Sequence, residues 1–356
     1  MLKLLIADDS ALMRKYLGEV FRAEGDFEIT TARNGAEALA LAQSFKPDVI
    51  TLDVNMPEMD GITCLSRIMV QCPCPVVMVS SLTAAGAEVT LQALSLGAVD
   101  FIAKPDGTVS LHIDKIRAEL VGKVRAAARA RLRQSRGLAE RVRHTARAAA
   151  APPPRPRPAA DRPPGEPRGL VLIGVSTGGP GALESILPLL RADFPWPILI
   201  AQHMPASFTG VFARRIDSLS AIEVVEVNRP LELRAGVAYV GRGDADLVLG
   251  NRGGRLTAIP MPASANHTWH PSVARLVESA MEKFDCERLL GVLLTGMGDD
   301  GAAAMAALRG RGGRTIAESE DTAVVWGMPG ELVRRGGASV VLPIQNIAEQ
   351  LRRWTA

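Results

Sequence analysis

Ser176 lies in Val171-Leu-Ile-Gly-Val-Ser-Thr-Gly-Gly-Pro180, an apolar run that ends in a serine flanked by Gly174 and Gly178 at G-x-S-x-G spacing. A serine on a sharp strand-to-helix turn lifts its hydroxyl above the sheet edge, and small neighbours let a carbonyl substrate approach backbone N–H donors. The same glycine-rich turn also cradles phosphates in dinucleotide folds, so this segment alone admits both chemistries. Two further runs bear on the choice. Pro197-Ile-Leu-Ile-Ala-Gln-His203-Met-Pro205 is a second apolar strand ending in a histidine, and Leu289-Leu-Gly-Val-Leu-Leu-Thr-Gly-Met-Gly-Asp-Asp-Gly301 is a third ending in paired aspartates. Parallel sheets collect chemistry at the carboxyl ends of their strands. A serine, a histidine and an acid there make a hydrolytic triad in the chain order Ser, His, Asp. That order differs from the Ser, Asp, His of α/β-hydrolases and points to a separate invention of the triad.

A second constellation stands near the start of the chain. Asp8 and Asp9 follow the first apolar run, Asp53 ends the third, Ser80 ends the fourth, and Lys104 follows the fifth before Pro105. Three clustered carboxylates repel one another and invite a hard cation such as Mg²⁺, which can neutralise an incoming phosphoryl group. Asp53 is then the phosphoryl acceptor, Lys104 pairs with the phosphoryl oxygens, and the Ser80 hydroxyl turns to meet them. The plain alternative is that Asp8 and Asp9 cap a helix beginning near Ser10 and Lys104 is a surface cation. One such coincidence is common, whereas all five at successive strand ends favour function.

The elements that must position these residues alternate throughout. Leu2–Ile6, Phe27–Thr31, Val49–Leu52, Val76–Val79 and Phe101–Ile102 read as strand cores, with Ala36–Ala42 and Val89–Leu96 as helices between them. Five βα units imply a parallel sheet covered on both faces. From Gly169 onward the pattern is again α/β, with strands near 170–175, 197–201, 222–227, 289–294 and 339–342. The glycine-rich run from Gly236 to Ile259 reads as short antiparallel strands that wall the site. His267 and His270 sit at x-x-H spacing without a third ligand, so a loop or helix-start pair is expected there, not a metal centre.

The chain divides into residues 1–125, a linker over 126–168, and residues 169–356. Its 356 residues, 47% hydrophobic, give each domain a sizeable core. From Lys123 to Arg168 there are 13 Lys/Arg against 3 Asp/Glu, a local charge of +10 in a chain of net +3, so the basicity belongs to the linker. An Ala/Arg-rich helical stretch runs to about Ala151, and the prolines from Pro152 onward then forbid packing. At ~3.1 Å per residue the Pro-rich tether spans about 50 Å. No membrane-length apolar run and no basic-then-apolar leader is visible, so a cytoplasmic protein without membrane insertion is expected. Cys64, Cys72, Cys74 and Cys286 are expected as reduced thiols in core or loops.

The first domain resembles the response-regulator receiver family at Asp8-Asp9, Asp53-Val-Asn-Met-Pro57, Asp60-Gly61, Val79-Ser80-Ser81, Gly97-Ala98 and Phe101-Ile-Ala-Lys104-Pro105. The resemblance implies a flavodoxin-like (βα)5 sheet and Mg²⁺ held by Asp9, Asp53 and the Asn55 carbonyl with Asp8 assisting. It also implies a sensor histidine kinase as phosphodonor, with Ser80, Phe101 and Lys104 as the switch. Together with that domain, Gly174-Val-Ser176-Thr177-Gly-Gly-Pro180, Gln202-His203-Met-Pro205 and Leu294-Thr-Gly-Met297-Gly-Asp-Asp300-Gly301 closely resemble the chemotaxis protein-glutamate methylesterase family, the CheB type. This implies Ser176 as nucleophile, His203 as general base and acid, and Asp300 rather than Asp299 as the orienting acid. The backbone N–H groups of Thr177 and Met297 are then the oxyanion donors. The second domain is expected as a Rossmann-like parallel sheet with no cofactor at its esterase site. The implied substrates are methyl-glutamate esters on cytoplasmic chemoreceptor helices, cleaved to glutamate and methanol, with glutamine deamidation as a second reaction in some members. The linker is longer and richer in Arg, Ala and Pro than the family needs, and inhibition by a docked, unphosphorylated receiver is the regulatory expectation.

Two rivals remain at this point. A response regulator with a DNA-binding output shares the receiver, yet no helix-turn-helix signature follows and no nucleic-acid partner is expected. A dinucleotide-binding output needs an acid at the end of its second strand, where this chain has Gln202-His203.

Overall fold

A computed structural model describes residues 1–81, 83–104, 113–130 and 167–356. The helical and Pro-rich stretch expected over most of the linker lies outside the described residues. By internal contacts the chain separates into two units, 1–152 and 153–356.

In the first unit the strands are β1 (Leu2–Ala7), β2 (Phe27–Ala32), β3 (Val49–Asp53), β4 (Val76–Ser80) and β5 (Asp100–Ala103). All pair in parallel in the order β2-β1-β3-β4-β5. Helices α1 (Ala11–Arg22), α2 (Gly35–Phe45), α3 (Gly61–Gln71), α4 (Ala84–Ser95) and α5 (Ile113–Ala128) connect or follow them. Every residue of β3 and β4 is buried, as expected when helices cover both faces of a sheet. Short polar side chains start the helices. Ser10, Asn34, Asp60 and Thr83 each accept a first-turn backbone N–H of α1 to α4. The strand order reverses between β1 and β3, and in open α/β sheets ligands bind beyond the carboxyl ends of the strands at such a point. Asp8, Asp9 and Asp53 belong to those two ends.

The second unit is built on β6 (Leu170–Val175), β7 (Ile198–Gln202), β8 (Glu223–Val227), β10 (Val237–Gly241), β13 (Leu289–Leu293), β14 (Arg314–Glu318) and β15 (Val340–Leu342). They form one parallel sheet in the order β15-β14-β13-β6-β7-β10-β8. The helices are α6 (Gly179–Ile186), α7 (Ala206–Leu219), α8 (Val273–Lys283), α9 (Ala302–Gly310), α10 (Met328–Arg334) and α11 (Ile344–Thr355). A separate antiparallel sheet joins β9 (Leu231–Glu232), β11 (Ala245–Arg252) and β12 (Arg255–Pro262) in the order β11-β12-β9. The parallel order turns at β6, with β7 on one side and β13 on the other, so three adjacent strands end where Ser176, His203 and Asp300 follow.

One expectation needs correction. Val237–Gly241 is not part of an antiparallel set: it is a fully buried parallel strand between β7 and β8 in the main sheet, and only β11 and β12 of that run are antiparallel. The strand Arg314–Glu318, which the sequence pattern does not signal, pairs directly with β13. Cys64 and Cys74 are buried, and burial pushes both thiols up to about 12. Among the described residues no helix is long and apolar enough to cross a membrane.

Candidate active site and phosphoacceptor site

At the end of β3, Asp53 is 2% exposed, and Asp8 after β1 is wholly buried. One oxygen from each of Asp8, Asp9 and Asp53 lies within 4.8 Å of the others. Lys104 Nζ donates to Asp53 Oδ2 at 2.7 Å and sits 3.2 Å from Asp8 Oδ2, which accepts no hydrogen bond. Burial holds the Asp53 carboxyl above the usual carboxylate range, and the Asp8 charge adds to this against the Lys104 hydrogen bond. Burial works against the Lys104 charge, but its contacts with Asp53 and Asp8 outweigh that and hold the ammonium above its ordinary value. Asn55 N–H reaches Asp53 Oδ1 at 3.4 Å. The buried Ser80 hydroxyl faces the carbonyls of Ser81 and Gly86, at 3.4 and 3.3 Å, and not the acids. Phe101 is buried, with Lys123 Nζ bonded to its carbonyl at 2.9 Å and 5.2 Å from its ring centre. The donor set fits a hard cation: three carboxylates, among them the buried Asp8, one oxygen of which accepts no hydrogen bond.

In the second unit Val175 and Gln202 are register partners across β6 and β7, so Ser176 and His203 leave the sheet side by side. His203 Nε2 and Asp300 Oδ2 are 2.9 Å apart, while Nδ1, buried, has no partner. The charge of Asp300 is held at the start of α8. Val273 N–H reaches Oδ2 at 2.7 Å, and Ala274 N–H and Ser272 Oγ reach Oδ1 at 3.0 and 3.2 Å. Burial would raise the Asp300 carboxyl, but the His203 contact and these backbone donors together hold it below the usual range. Asp299, by contrast, is an exposed side chain 3.8 Å from Arg335.

The turn after β6 depends on Gly178, whose φ of 78° is left-handed, and α6 begins immediately beyond it. The Ser176 carbonyl accepts Gly179 N–H at 2.8 Å and Gln202 Nε2 at 3.1 Å. A trans peptide is planar, so fixing that carbonyl aims the Thr177 N–H the opposite way. The same device recurs after β13. The Gly296 carbonyl accepts Gly327 N–H at 3.1 Å and Met328 N–H at 2.9 Å, which orients the Met297 N–H. Gly296 also makes room for the Ser176 turn, since a Cβ there would stand 2.8 Å from Ser176 Cβ.

Several supporting residues escaped sequence reasoning. Trp269 stacks on His203 with ring centres 5.5 Å apart and planes 12° from parallel. Asp246, with no exposed side-chain surface, receives His270 Nδ1 at 2.8 Å, Arg275 Nη1 at 2.6 Å, and the N–H groups of Ser272 and Ser264 at 2.8 and 3.0 Å. It thereby anchors both ends of the loop that carries Trp269. His270 is thus a loop residue at the approach to α8. Lone polar residues on loops give no periodic signal; the indole two residues before Pro271 was the one hint.

By fold the first unit is a receiver domain, and the second is an α/β esterase domain with its site at the turning point of a parallel sheet. Residues 4–114 match the response regulator receiver domain, and residues 171–351 match the family described as CheB methylesterase. The chain belongs to the CheB methylesterase family. It is 59% identical over 356 residues to a Rhodospirillum rubrum protein named "Protein-glutamate methylesterase/protein-glutamine glutaminase 3", covering 99% of this chain and 96% of that one. It is 58% identical over 362 residues to a Rhodopseudomonas palustris protein of the same name numbered 2, covering 99% and 98%. The solved catalytic domain of Thermotoga maritima CheB methylesterase is 37% identical with a TM-score of 0.50, covering 52% of this chain and 97% of that one. A DNA-binding or nucleotide-binding output is set aside by this membership.

Proposed function

We propose that the chain is a phosphorylation-regulated serine esterase that hydrolyses methyl-glutamate esters on the cytoplasmic helices of chemoreceptors, and deamidates receptor glutamines at the same site. The observation that carries this reading is the His203–Asp300 contact through Nε2, which leaves Nδ1 as the base beside the Ser176 turn. Ser176 Oγ attacks the ester carbon as its proton passes to Nδ1, and the oxyanion lies against the Thr177 and Met297 N–H groups. Collapse breaks the bond to methoxide, which leaves as methanol with the proton from Nδ1. Water then attacks the acyl-enzyme, its proton goes to Nδ1, and Ser176 Oγ departs with it as glutamate is released. With a glutamine substrate, ammonia leaves in place of methanol.

At the receiver, Asp9, Asp53 and the Asn55 carbonyl, with Asp8 assisting, would hold Mg²⁺, which when bound supplies positive charge against the phosphoryl oxygens. Asp53 takes the phosphoryl group from the phosphohistidine of a sensor kinase: its carboxylate oxygen bonds to phosphorus as the P–N bond breaks. Lys104 pairs with the transferred group, Ser80 turns its hydroxyl toward it, and Phe101 repacks in response.

Methanol release from methylated receptor fragments, with and without a small acyl phosphate, tests the whole reading. Ser176→Ala should lower turnover by about 10⁶-fold, as loss of a triad nucleophile does. Activity retained in that variant would remove the acyl-enzyme.

A further inference from the structure

Thr295 follows β13 and is 1% exposed, so it meets no substrate, yet its polar atoms tie together the segments that carry both proposed oxyanion donors. Its carbonyl accepts Ser176 N–H at 3.0 Å, and its Oγ1 donates to the Thr177 carbonyl at 2.8 Å. Those two bonds bracket the Ser176–Thr177 peptide, the unit that carries the proposed Thr177 N–H donor. The hydroxyl has one proton, so the shorter bond to Thr177 takes it and the Val325 carbonyl at 3.4 Å is a marginal alternative. As acceptor, the same Oγ1 holds Val325 N–H at 3.0 Å, and the Val325 carbonyl in turn accepts Gly296 N–H at 2.9 Å. Gly296 precedes the second donor, Met297. The Thr295 N–H is itself fixed by Glu318 Oε2 at 2.9 Å, from the end of β14.

We propose that Thr295 is a positioning residue for the oxyanion pocket, its hydroxyl setting the direction of the Thr177 N–H relative to the Met297 N–H. The proposal rests on the esterase reading above. A donor acts on the transition state only when aimed at where the oxyanion forms, so loosening one should reduce turnover while leaving ground-state binding of the receptor intact.

The test compares Thr295→Val, which keeps the shape and removes the hydroxyl, with Thr295→Ser, which restores the hydroxyl. Rates are measured on the intact chain by methanol release and expressed per site titrated with a serine-directed fluorophosphonate, so unfolded molecules do not count. Expected for Thr295→Val is a fall in kcat per site of about ten- to a hundredfold, somewhat less than loss of a whole donor. KM should be unchanged, and affinity for a peptide trifluoromethyl ketone should fall in parallel. Thr295→Ser should recover most of kcat. Thr295→Cys, a weaker donor of similar shape, should fall between and serves if the valine variant does not accumulate. A merely structural residue would lower Tm and the titrated fraction but not kcat per site, and that result in either variant overturns the proposal. Ser176→Ala separates the two readings: if it stays active the esterase reading fails, whereas if it is inactive and kcat per site survives in Thr295→Val, only the role of Thr295 fails.

Discussion

His203 turns its Nε2 edge to Asp300, at 2.9 Å, and leaves Nδ1 without a partner. The carboxylate therefore selects the tautomer with its proton on Nε2 and the basic lone pair on Nδ1. Replacing Asp300 by Asn removes that selection while keeping the shape, and should lower kcat by about 10⁴-fold with little change in KM. Asp299→Asn should alter kcat by less than about twofold, because an exposed charge 3.8 Å from Arg335 contributes little. Steady-state methanol release separates the two; equal losses would mean the adjacent acids share the role.

Trp269 lies flat against the His203 ring. An offset stack at 5.5 Å hinders rotation of the imidazole off Asp300. Trp269→Ala should lower kcat/KM by about tenfold, the scale of a lost aromatic pair of about 1 kcal/mol with some added misorientation. Trp269→Phe should recover much of that loss. If both variants match the parent, the stacking plays no part in turnover.

Acid sensitivity follows from Asp246 and Asp300, both held below the usual carboxylate range. For Asp246 burial opposes the charge, while His270, the Ser272 and Ser264 N–H groups and Arg275 together prevail. A depressed folded pKa contributes stability that is fully present above the unfolded value of about 3.9 and is lost as pH falls through the folded value. The esterase domain should therefore lose stability below about pH 4. Asp246→Asn should cost about 1–3 kcal/mol at pH 7, since Arg275, partly exposed and also bonded to the Pro262 carbonyl, loses its carboxylate partner, and should flatten the acid limb. All four tryptophans, Trp196, Trp269, Trp326 and Trp354, lie in this domain, so urea titrations followed by tryptophan emission report it within the intact chain. An acid limb unchanged in the variant would exclude Asp246 as a source.

The strand-end placement of the candidate residues was legible because each follows an apolar run, and parallel topology brings strand ends to one edge whatever the strand order. Adjacency of β6, β7 and β13 was not legible, since register and order depend on long-range pairing. Val237–Gly241 misled because flanking glycines suggest hairpins, whereas burial on both faces made it a parallel strand. Arg314–Glu318 begins and ends in charge and has a short apolar centre, so its strand character comes from the neighbours it joins. Thr295 and Asp246 make buried hydrogen bonds to distant backbone groups and, for Asp246, to the His270 and Arg275 side chains, for which residue type and spacing give no signal.

Asp53 carries the last prediction. Its carboxyl is held above the usual range, by burial first and the Asp8 charge next, so the folded receiver binds that proton more tightly than the unfolded chain. Stability then falls as pH rises from about 3.9 through the folded pKa, and at neutral pH the Lys104 ion pair only partly offsets the burial of the ionised carboxylate, leaving a charge that a divalent cation would meet. Asp53→Asn should accordingly raise the receiver Tm in EDTA. In the parent, Mg²⁺ at a hundred times its dissociation constant should add about 2.7 kcal/mol to receiver stability, and the variant should lose most of that gain. The variant should also keep a basal esterase rate and lose the response to acyl phosphate, because the carboxylate takes no part in ester cleavage. Calorimetry of the intact chain with and without Mg²⁺, beside mass measurement after acyl phosphate treatment, checks both parts. A phosphoryl mass shift that survives Asp53→Asn would place the acceptor elsewhere, and a Mg²⁺-dependent Tm gain undiminished in the variant would remove Asp53 from the cation's ligands.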